Sequence, residues 1–191
     1  MQLPVKVNPK YRHMNKKELL ETAYKLGGDY EMNSFSCSQS TAAAIHEIVE
    51  MDDVVVRCAT TSCAGSASEI VGECGGYAGG LIVLDYFFGR DASYMSSTET
   101  KEGSVEALNS AQDVAREYFH KYVKEYGTIH CAMIQQKLYG RFYYLCDPDE
   151  LKKFNDQGAH TDPSKCRHIV GTAAKMVLEM LIEKGAVIVG G

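Results

Sequence analysis

The sequence predicts an all-α fold, a single-domain helical bundle in which four cysteine-bearing helix N-termini converge at one end. Three observations support this prediction: apolar residues recur at helical spacing, strand patterns are few, and four helical stripes each begin at a cysteine. The length of 191 residues suits one domain with its own core. We expect an N-terminal arm over 1–13, a helical domain over 14–184 and a C-terminal tail over 185–191.

The first helix is predicted from its capping signals. Asn15, followed three residues later by Glu18, makes a capping box, which marks the start of a helix. An apolar face comes next. The consecutive glycines Gly27 and Gly28 are expected to end the helix, because glycine is typical of a helix C-terminus.

The second helix is predicted to begin at the first of the four cysteines. Ser36 and Gln39 form another capping box, and apolar residues then recur on one helical face from Cys37 to Val49. The run 52–60 fits either a short helix or a strand, because its three consecutive valines suit both. The segment from Cys63 to residue 76, rich in glycine, serine and alanine, is expected to be a loop.

The other cysteine-headed helices follow from the same periodicity. They are predicted over 74–89, 131–139 and 166–184. A long helix with an apolar seam from Val105 to Tyr126 lies before the second of them, and Gly127 is expected to end it. Three connections are long enough to return along the bundle: 51–72, 90–127 and 140–162. All four cysteine-headed helices can therefore begin at one end.

Cysteines at helix N-termini point to thiolate chemistry. Unpaired N–H groups and the positive end of the helix dipole lie there, which is expected to lower a thiol pKa and favour the thiolate that binds metals or attacks disulfides. Taken singly, each cysteine is more often a small core residue. The repeated placement of four in one domain indicates a shared site: Cys37, Cys74, Cys131 and Cys166.

Charge and composition exclude several classes of protein. The formal net charge is -5 and no cluster of lysines and arginines occurs, so nucleic acid is not an expected partner. The longest apolar stretch, 76–88, contains Asp85 and is too short to span a bilayer, so we expect no membrane partner. The N-terminus has no apolar signal segment, and an odd count of seven cysteines fits poorly with secretion. We therefore expect a cytoplasmic protein.

The cysteine spacing excludes the common linear signatures. The sequence has no C-x-x-C pair, so neither a thioredoxin-type dithiol nor a zinc ribbon is indicated. The spacings of ferredoxins and the haem-attachment motif are also missing. A metal site must therefore be assembled from distant segments.

Three segments and a final cysteine resemble the redox-active protein family labelled C_GCAxxG_C_C. Segment 74–79 (Cys-Gly-Gly-Tyr-Ala-Gly) resembles its C-G-A-x-x-G motif, with Gly76 where alanine is usual. Segment 35–39 (Phe-Ser-Cys-Ser-Gln) is similar to the family's first cysteine-headed helix start, and 126–131 (Tyr-Gly-Thr-Ile-His-Cys) to a later segment. Cys166 matches the last family cysteine. The resemblance covers most of 14–184 and departs at Cys63, where glycines are more usual.

The resemblance implies an iron–sulfur protein. The family's fold is similar to a helical domain of split-Soret cytochromes, whose cysteine cluster is assigned an iron–sulfur centre. It implies that four residues bind a 2Fe–2S or 4Fe–4S cluster for electron transfer or redox sensing: Cys37, Cys74, Cys131 and Cys166. Gly75 and Gly76 would let the backbone approach the inorganic sulfides. The partner would be a redox protein that the sequence does not identify.

Two other functions fit the same cysteines. A thiol–disulfide oxidoreductase would use Cys74 as its catalytic nucleophile, whereas a structural or interaction domain would hold zinc or no metal. The sequence thus does not decide whether the protein is an oxidoreductase or an electron-transfer protein. Cys58 and Cys63 are expected to be buried or loop cysteines, with resolving thiol or spare ligand as the alternative, and Cys146 is expected to be incidental.

Two further groups of residues lie beside the candidate ligands or form an aromatic run. His130 and His168 flank candidate ligands and are expected to be helix-start or neighbouring groups rather than ligands. The aromatic run 139–145 is expected to serve packing or the surface of a homodimer.

Overall fold

The structure is a computed structural model that describes residues 4–190. Within that range it is mostly helical, with eight α-helices packed into a single bundle, which confirms the predicted all-α class. The helices are α1 (Lys16–Ser34), α2 (Cys37–Ile48), α3 (Val54–Cys58), α4 (Gly75–Phe88), α5 (Ser104–Tyr126), α6 (Cys131–Tyr139), α7 (Pro148–Asp156) and α8 (Cys166–Glu183). None of these helices combines the length and the apolar character needed to pass through a bilayer.

Two short strands join the ends of the described chain. Strand β1 (Val5–Lys6) pairs in parallel with β2 (Val187–Ile188), with Val5 opposite Val187. Parts of the predicted arm and tail are therefore hydrogen-bonded to each other at the side of the bundle.

Helix α1 begins where the sequence predicts but ends later. The Asn15 side chain accepts a hydrogen bond from the Glu18 N–H, and the Glu18 carboxylate accepts one from the Asn15 N–H, so the capping box is confirmed. The prediction that Gly27 and Gly28 end α1 is wrong, because the helix continues past them. A Cβ at Gly27 would lie 3.0 Å from the Val170 carbonyl oxygen of α8. These glycines therefore serve the close approach of two helices.

The start of α2 lacks the predicted capping box. Ser36 makes no capping hydrogen bond with its side chain, and its Oγ is buried without a partner in the described part of the chain. The Gln39 amide donates instead to the Val56 carbonyl oxygen and to the Thr60 hydroxyl. Gln39 is thus drawn to the next segment, where residues 54–58 form helix α3 rather than a strand.

The core lies where α8 packs against α1, α2 and α4. Helix α8 contributes a continuous buried face: Ile169, Val170, Ala173, Val177, Leu178 and Leu181. Helix α4 approaches its neighbours through two glycines. A Cβ at Gly79 would lie 2.2 Å from the Ser38 carbonyl oxygen of α2, and one at Gly80 would lie 2.3 Å from the Tyr118 hydroxyl of α5. These contacts hold the N-terminal ends of α2 and α4 side by side.

The connection 140–162 covers the end of the bundle at which α8 begins. It contains α7, a helix that the sequence did not reveal, whose N-terminus is capped by the Asp147 carboxylate. A second apolar cluster is formed there by buried residues from this connection: Tyr143, Phe154 and Ala159. Tyr139 and Leu145 pack against that cluster. The aromatic run 139–145 therefore contributes to packing, and a homodimer stays a prediction.

Candidate functional site

The N-terminal ends of α2, α4, α6 and α8 meet at one cavity of about 420 Å³, which we call the cysteine cavity. Its wall includes all four predicted cysteines: Cys37, Cys74, Cys131 and Cys166. Three of them are the first residues of their helices, and Cys74 immediately precedes α4. The predicted convergence of the cysteine-bearing helix N-termini is confirmed.

Backbone hydrogen bonds fix two of these helix starts side by side. The Cys74 N–H donates to the Ile129 carbonyl oxygen at 2.6 Å, and the Cys131 N–H donates to the Gly72 carbonyl oxygen at 3.0 Å. Together they form a short antiparallel bridge. Two cysteines that are far apart in the chain are therefore neighbours through the main chain, independently of any ligand.

The sulfurs of Cys37 and Cys131 each have one hydrogen-bond donor. The Ala64 N–H donates to Cys37 Sγ at 3.4 Å, and the Gln135 amide donates to Cys131 Sγ at 3.6 Å. The buried Gln135 is itself held in place, because its Oε1 accepts a bond from the Tyr143 N–H at 2.8 Å. The second apolar cluster therefore positions the donor to Cys131.

Tyrosine hydroxyls lie beside the other two sulfurs. Tyr139 Oη is 3.2 Å from Cys166 Sγ. Cys74 faces the Tyr122 hydroxyl and N–H groups in the first turn of α4. Tyr122 is fully buried, and its Oη has no hydrogen-bond partner at normal geometry within the described residues. A negatively charged sulfur at Cys74 would give this hydroxyl a partner.

Burial raises the pKa of all four thiols. Removal of water from the thiolate is the largest cause in each case, and it raises the pKa of Cys131 to about 12. The pKa values of Cys37, Cys74 and Cys166 also lie above the ordinary thiol value. The negative charge of Glu31 contributes at Cys37 and Cys166. The expectation that helix N-termini lower these pKa values is wrong without bound metal, because desolvation outweighs the backbone hydrogen bonds that lower the pKa values of Cys37 and Cys74.

The raised thiol pKa values make the stability of the protein without metal depend on pH. Between the unfolded cysteine pKa of about 8.5 and the folded pKa of Cys131, about 12, the folded chain holds more protons than the unfolded chain. The stability that the protonated thiol contributes is therefore fully present below the unfolded pKa and is lost as the pH rises towards the folded pKa. We expect the Cys131 thiol to lower the free energy of unfolding by about 2 kcal/mol between about pH 8.5 and about pH 10.

Urea unfolding across this pH range measures the effect. The Cys131→Ala variant should show a weaker pH dependence than the wild type, whereas Cys146→Ala, which removes an exposed thiol, should not. An identical slope in wild type and Cys131→Ala would contradict the prediction.

A buried carboxylate and a histidine also line the cysteine cavity. Glu31 of α1 is only 1% exposed, its Oε1 lies 3.0 Å from His160 Nδ1, and its Oε2 has no partner in residues 4–190. Both residues were missed at the sequence level. Glu31 follows Gly27 by four residues and Ala23 by eight, a spacing that places it on the buried face of α1. This spacing could indicate a buried Glu31 only if the predicted helix is extended past Gly28.

The histidines next to the candidate ligands do not line the cavity. His130 is exposed, and His168 Nδ1 lies 2.9 Å from the Tyr24 hydroxyl. Among the remaining cysteines, Cys58 and Cys146 are exposed. The expectation that Cys58 is a buried or loop cysteine is wrong, because it is the last residue of α3 and its side chain faces solvent. Cys63 lies in a loop, as expected, but that loop forms part of the cavity wall.

The two predicted cofactor-binding glycines differ in the space around them. A Cβ at Gly75 would lie 2.1 Å from Cys37 Sγ and 3.0 Å from the Ser38 backbone nitrogen, so no side chain fits there. At Gly76 the nearest atom would be the Tyr122 hydroxyl at 3.3 Å. Gly75 is therefore required by the packing of Cys37, and Gly76 has room for a methyl group after a small adjustment.

The cysteine cavity has a larger volume than a single ion. In residues 4–190, no three side chains among histidine, cysteine, aspartate and glutamate are close enough together to hold a single metal ion. The volume of about 420 Å³ compares with about 30 Å³ for each molecule of liquid water. The four cysteines thus line one space, and hydrogen-bond donors lie beside the sulfurs of Cys37 and Cys131.

Comparison with known proteins gives one family. A family model described as "Putative redox-active protein (C_GCAxxG_C_C)" matches residues 35–180, a range that contains all four cysteines and most of the chain. No curated protein and no solved structure matches the chain.

Proposed function

We propose that this chain, which belongs to the C_GCAxxG_C_C family of redox-active proteins, binds an iron–sulfur cluster for electron transfer or redox sensing. The residues that would hold it are Cys37, Cys74, Cys131 and Cys166. The observation that carries the proposal is the cysteine cavity itself, whose wall contains these cysteines at the N-terminal ends of four different helices. When bound, the cluster would accept and release single electrons.

The arrangement of the sulfurs supports a cluster over a zinc ion. Tetrahedral zinc requires four ligands at about 2.3 Å from one point, and no three such side chains in the described residues meet that need. In a 4Fe–4S cluster each cysteine binds a different iron atom, and in a 2Fe–2S cluster each iron atom is bound by two cysteines, so the four thiolates do not meet at one point. Sulfurs distributed around a cavity of about 420 Å³ match the second arrangement.

Main-chain groups rather than charged side chains of the wall support an anionic ligand. Within the described chain, the lining contains no lysine or arginine, and His160, its only residue able to carry a positive side-chain charge, lies 3.0 Å from the carboxylate of Glu31. The compensating potential would come from the partial positive charges at the four helix N-termini. The Ala64 N–H and the amide of Gln135 add donors aimed at ligand sulfurs.

The tyrosines beside the sulfurs support a redox role. Hydrogen bonds to cluster sulfurs stabilise the more negative, reduced state and so raise the reduction potential. Tyr139 already lies 3.2 Å from Cys166 Sγ, and Tyr122 has an uncommitted buried hydroxyl beside Cys74. We expect both hydroxyls to donate to thiolate ligands.

The same geometry disfavours a thiol–disulfide relay that begins at Cys74. Such a relay needs a low thiol pKa, because the thiolate is the nucleophile. Burial raises the pKa of Cys74, and Cys74 itself is only 7% exposed. Binding to iron would give the thiolate form in spite of burial, because the metal replaces the thiol proton.

Anaerobic purification tests the proposal. Protein isolated or reconstituted without oxygen should be brown and should contain iron and acid-labile sulfide in equal amounts. Electron paramagnetic resonance of the reduced sample should then distinguish a 2Fe–2S from a 4Fe–4S cluster. Colourless protein without iron and sulfide after reconstitution would overturn the proposal, and stoichiometric zinc in its place would establish the structural alternative.

A further inference from the structure

A fifth cysteine belongs to the cysteine cavity. Cys63 lies in the loop between α3 and α4, outside the set of four that the helix starts define, yet it forms part of the same wall. It is a free, partly exposed thiol whose Sγ lies 3.6 Å from the Thr60 carbonyl oxygen. The proposed cluster leaves this thiol without a role.

Cys63 is close to Cys37. The Cβ position of Gly75 lies 2.1 Å from Cys37 Sγ and 3.1 Å from Cys63 Cα, so these two atoms are at most about 5 Å apart. The peptide that follows Cys63 also touches Cys37, because the Ala64 N–H donates to Cys37 Sγ. Rotation about the side chain of Cys63 can therefore bring its sulfur to Cys37.

The loop that carries Cys63 is conformationally strained. Five residues with side chains adopt positive φ angles between 50° and 72° just after it: Ala64, Ser66, Ala67, Ser68 and Ile70. Such angles are unfavourable for L-residues. A rearrangement of this loop that turns Cys63 towards Cys37 would therefore start from an unfavourable backbone conformation, which lowers its energetic cost.

We propose that Cys37 and Cys63 form a reversible disulfide when no cluster is bound. The disulfide removes the Cys37 sulfur from the ligand set, so that the oxidised chain does not accept a cluster until it is reduced. This consequence rests on the proposed function, whereas the disulfide itself does not. The cysteine cavity would thus have two exclusive states, one with a cluster and one with a Cys37–Cys63 bond.

The oxidant is a small disulfide such as oxidised glutathione. The partly exposed Cys63 attacks the glutathione S–S bond as a thiolate, and that bond breaks to give a mixed disulfide at Cys63 and one glutathione thiolate. Cys37 then loses its proton, its sulfur attacks Cys63 Sγ of the mixed disulfide to form the Cys37–Cys63 bond, and the second glutathione leaves as a thiolate. The two protons lost by the cysteines pass to the two glutathione thiolates, and two electrons pass to glutathione.

Peptide mapping of the protein without metal tests the disulfide. The full chain is equilibrated in glutathione redox buffers, free thiols are alkylated, and the protein is digested without reduction for mass spectrometry. We expect one Cys37–Cys63 cross-link in oxidising buffers. It should be absent from Cys63→Ser and Cys37→Ser and retained in Cys58→Ser, which removes a nearby exposed thiol. Alkylation of both Cys37 and Cys63 in every buffer, or a link from Cys63 to another cysteine, would overturn the proposal.

Reconstitution of the same samples separates this inference from the proposed function. Reduced Cys63→Ser should take up as much iron and sulfide as the wild type, and it should do so even after oxidation, when the wild type does not. Loss of iron from reduced Cys63→Ser, with folding intact by circular dichroism, would make Cys63 a ligand and overturn the inference. A cross-link in a protein that never binds iron would disprove the cluster while leaving the disulfide established.

Discussion

Cys74→Ser is expected to abolish cluster binding. Serine keeps the shape of cysteine but offers a hydroxyl that stays protonated, whereas iron–sulfur clusters select soft thiolate ligands. Loss of a direct ligand should lower affinity by more than the roughly 10–100-fold typical of changes in outer-shell partners. The measurement is the content of iron and acid-labile sulfide per chain after anaerobic reconstitution, with the visible spectrum as a second readout.

Cys146→Ser is the matched control for this experiment. Cys146 is exposed, and its Sγ lies 3.8 Å from the Ala67 carbonyl oxygen and 3.7 Å from the Glu69 carboxylate. This variant should reconstitute like the wild type. Full iron content in a folded Cys74→Ser protein would remove Cys74 from the ligand set.

Gly75→Ala is expected to remove cluster binding without changing any ligand. The new Cβ would meet Cys37 Sγ at 2.1 Å, the Ser38 backbone nitrogen at 3.0 Å and Cys63 Cα at 3.1 Å. Two of these three atoms belong to the main chain and cannot rotate away, so the Cys37 side chain must move. We expect overpacking to cost about 1–3 kcal/mol of stability and iron content to fall to a small fraction of the wild-type value.

Gly76→Ala provides the comparison at the neighbouring position. Its Cβ would meet only side-chain atoms, at 3.3 Å from the Tyr122 hydroxyl and 3.4 Å from Ala173 and Ile169. Small movements relieve such contacts, so iron content should stay close to that of the wild type. Equal iron content in Gly75→Ala and wild type would show that the position of Cys37 is not critical for the cluster.

The helix boundaries that sequence reasoning placed correctly depend on local interactions. The capping box of Asn15 and Glu18 starts α1, and Gly127, with a φ of 74°, ends α5 as its position predicts. Helix α6 has the predicted bounds, from Cys131 to Tyr139. At the start of α1 and at the ends of α5 and α6, neighbouring residues in the chain provide the deciding hydrogen bonds, so the information is contained in a short window of sequence.

The errors arise where a distant segment competes with the local signal. Glycine is the residue type typical of a helix C-terminus, but at Gly27 the backbone of α8 packs against α1 and the helix continues. Ser36 and Gln39 have the pattern of a capping box, but Gln39 bonds to α3 instead. At both places a tertiary contact outweighed the local preference. The sequence pattern did not reveal these contacts, because the contacting residues lie outside the local window.

The sequence by itself determined the all-α class, the placement of Cys37, Cys74, Cys131 and Cys166 at helix starts, and the family resemblance that the match over 35–180 confirms. Helical periodicity and caps are local properties, so the residues alone reveal them. Only the tertiary structure decided which groups share the cysteine cavity, including Glu31, Cys63 and His160. It also decided that the thiol pKa values are raised rather than lowered, because desolvation depends on how the whole chain excludes water from the cysteine cavity.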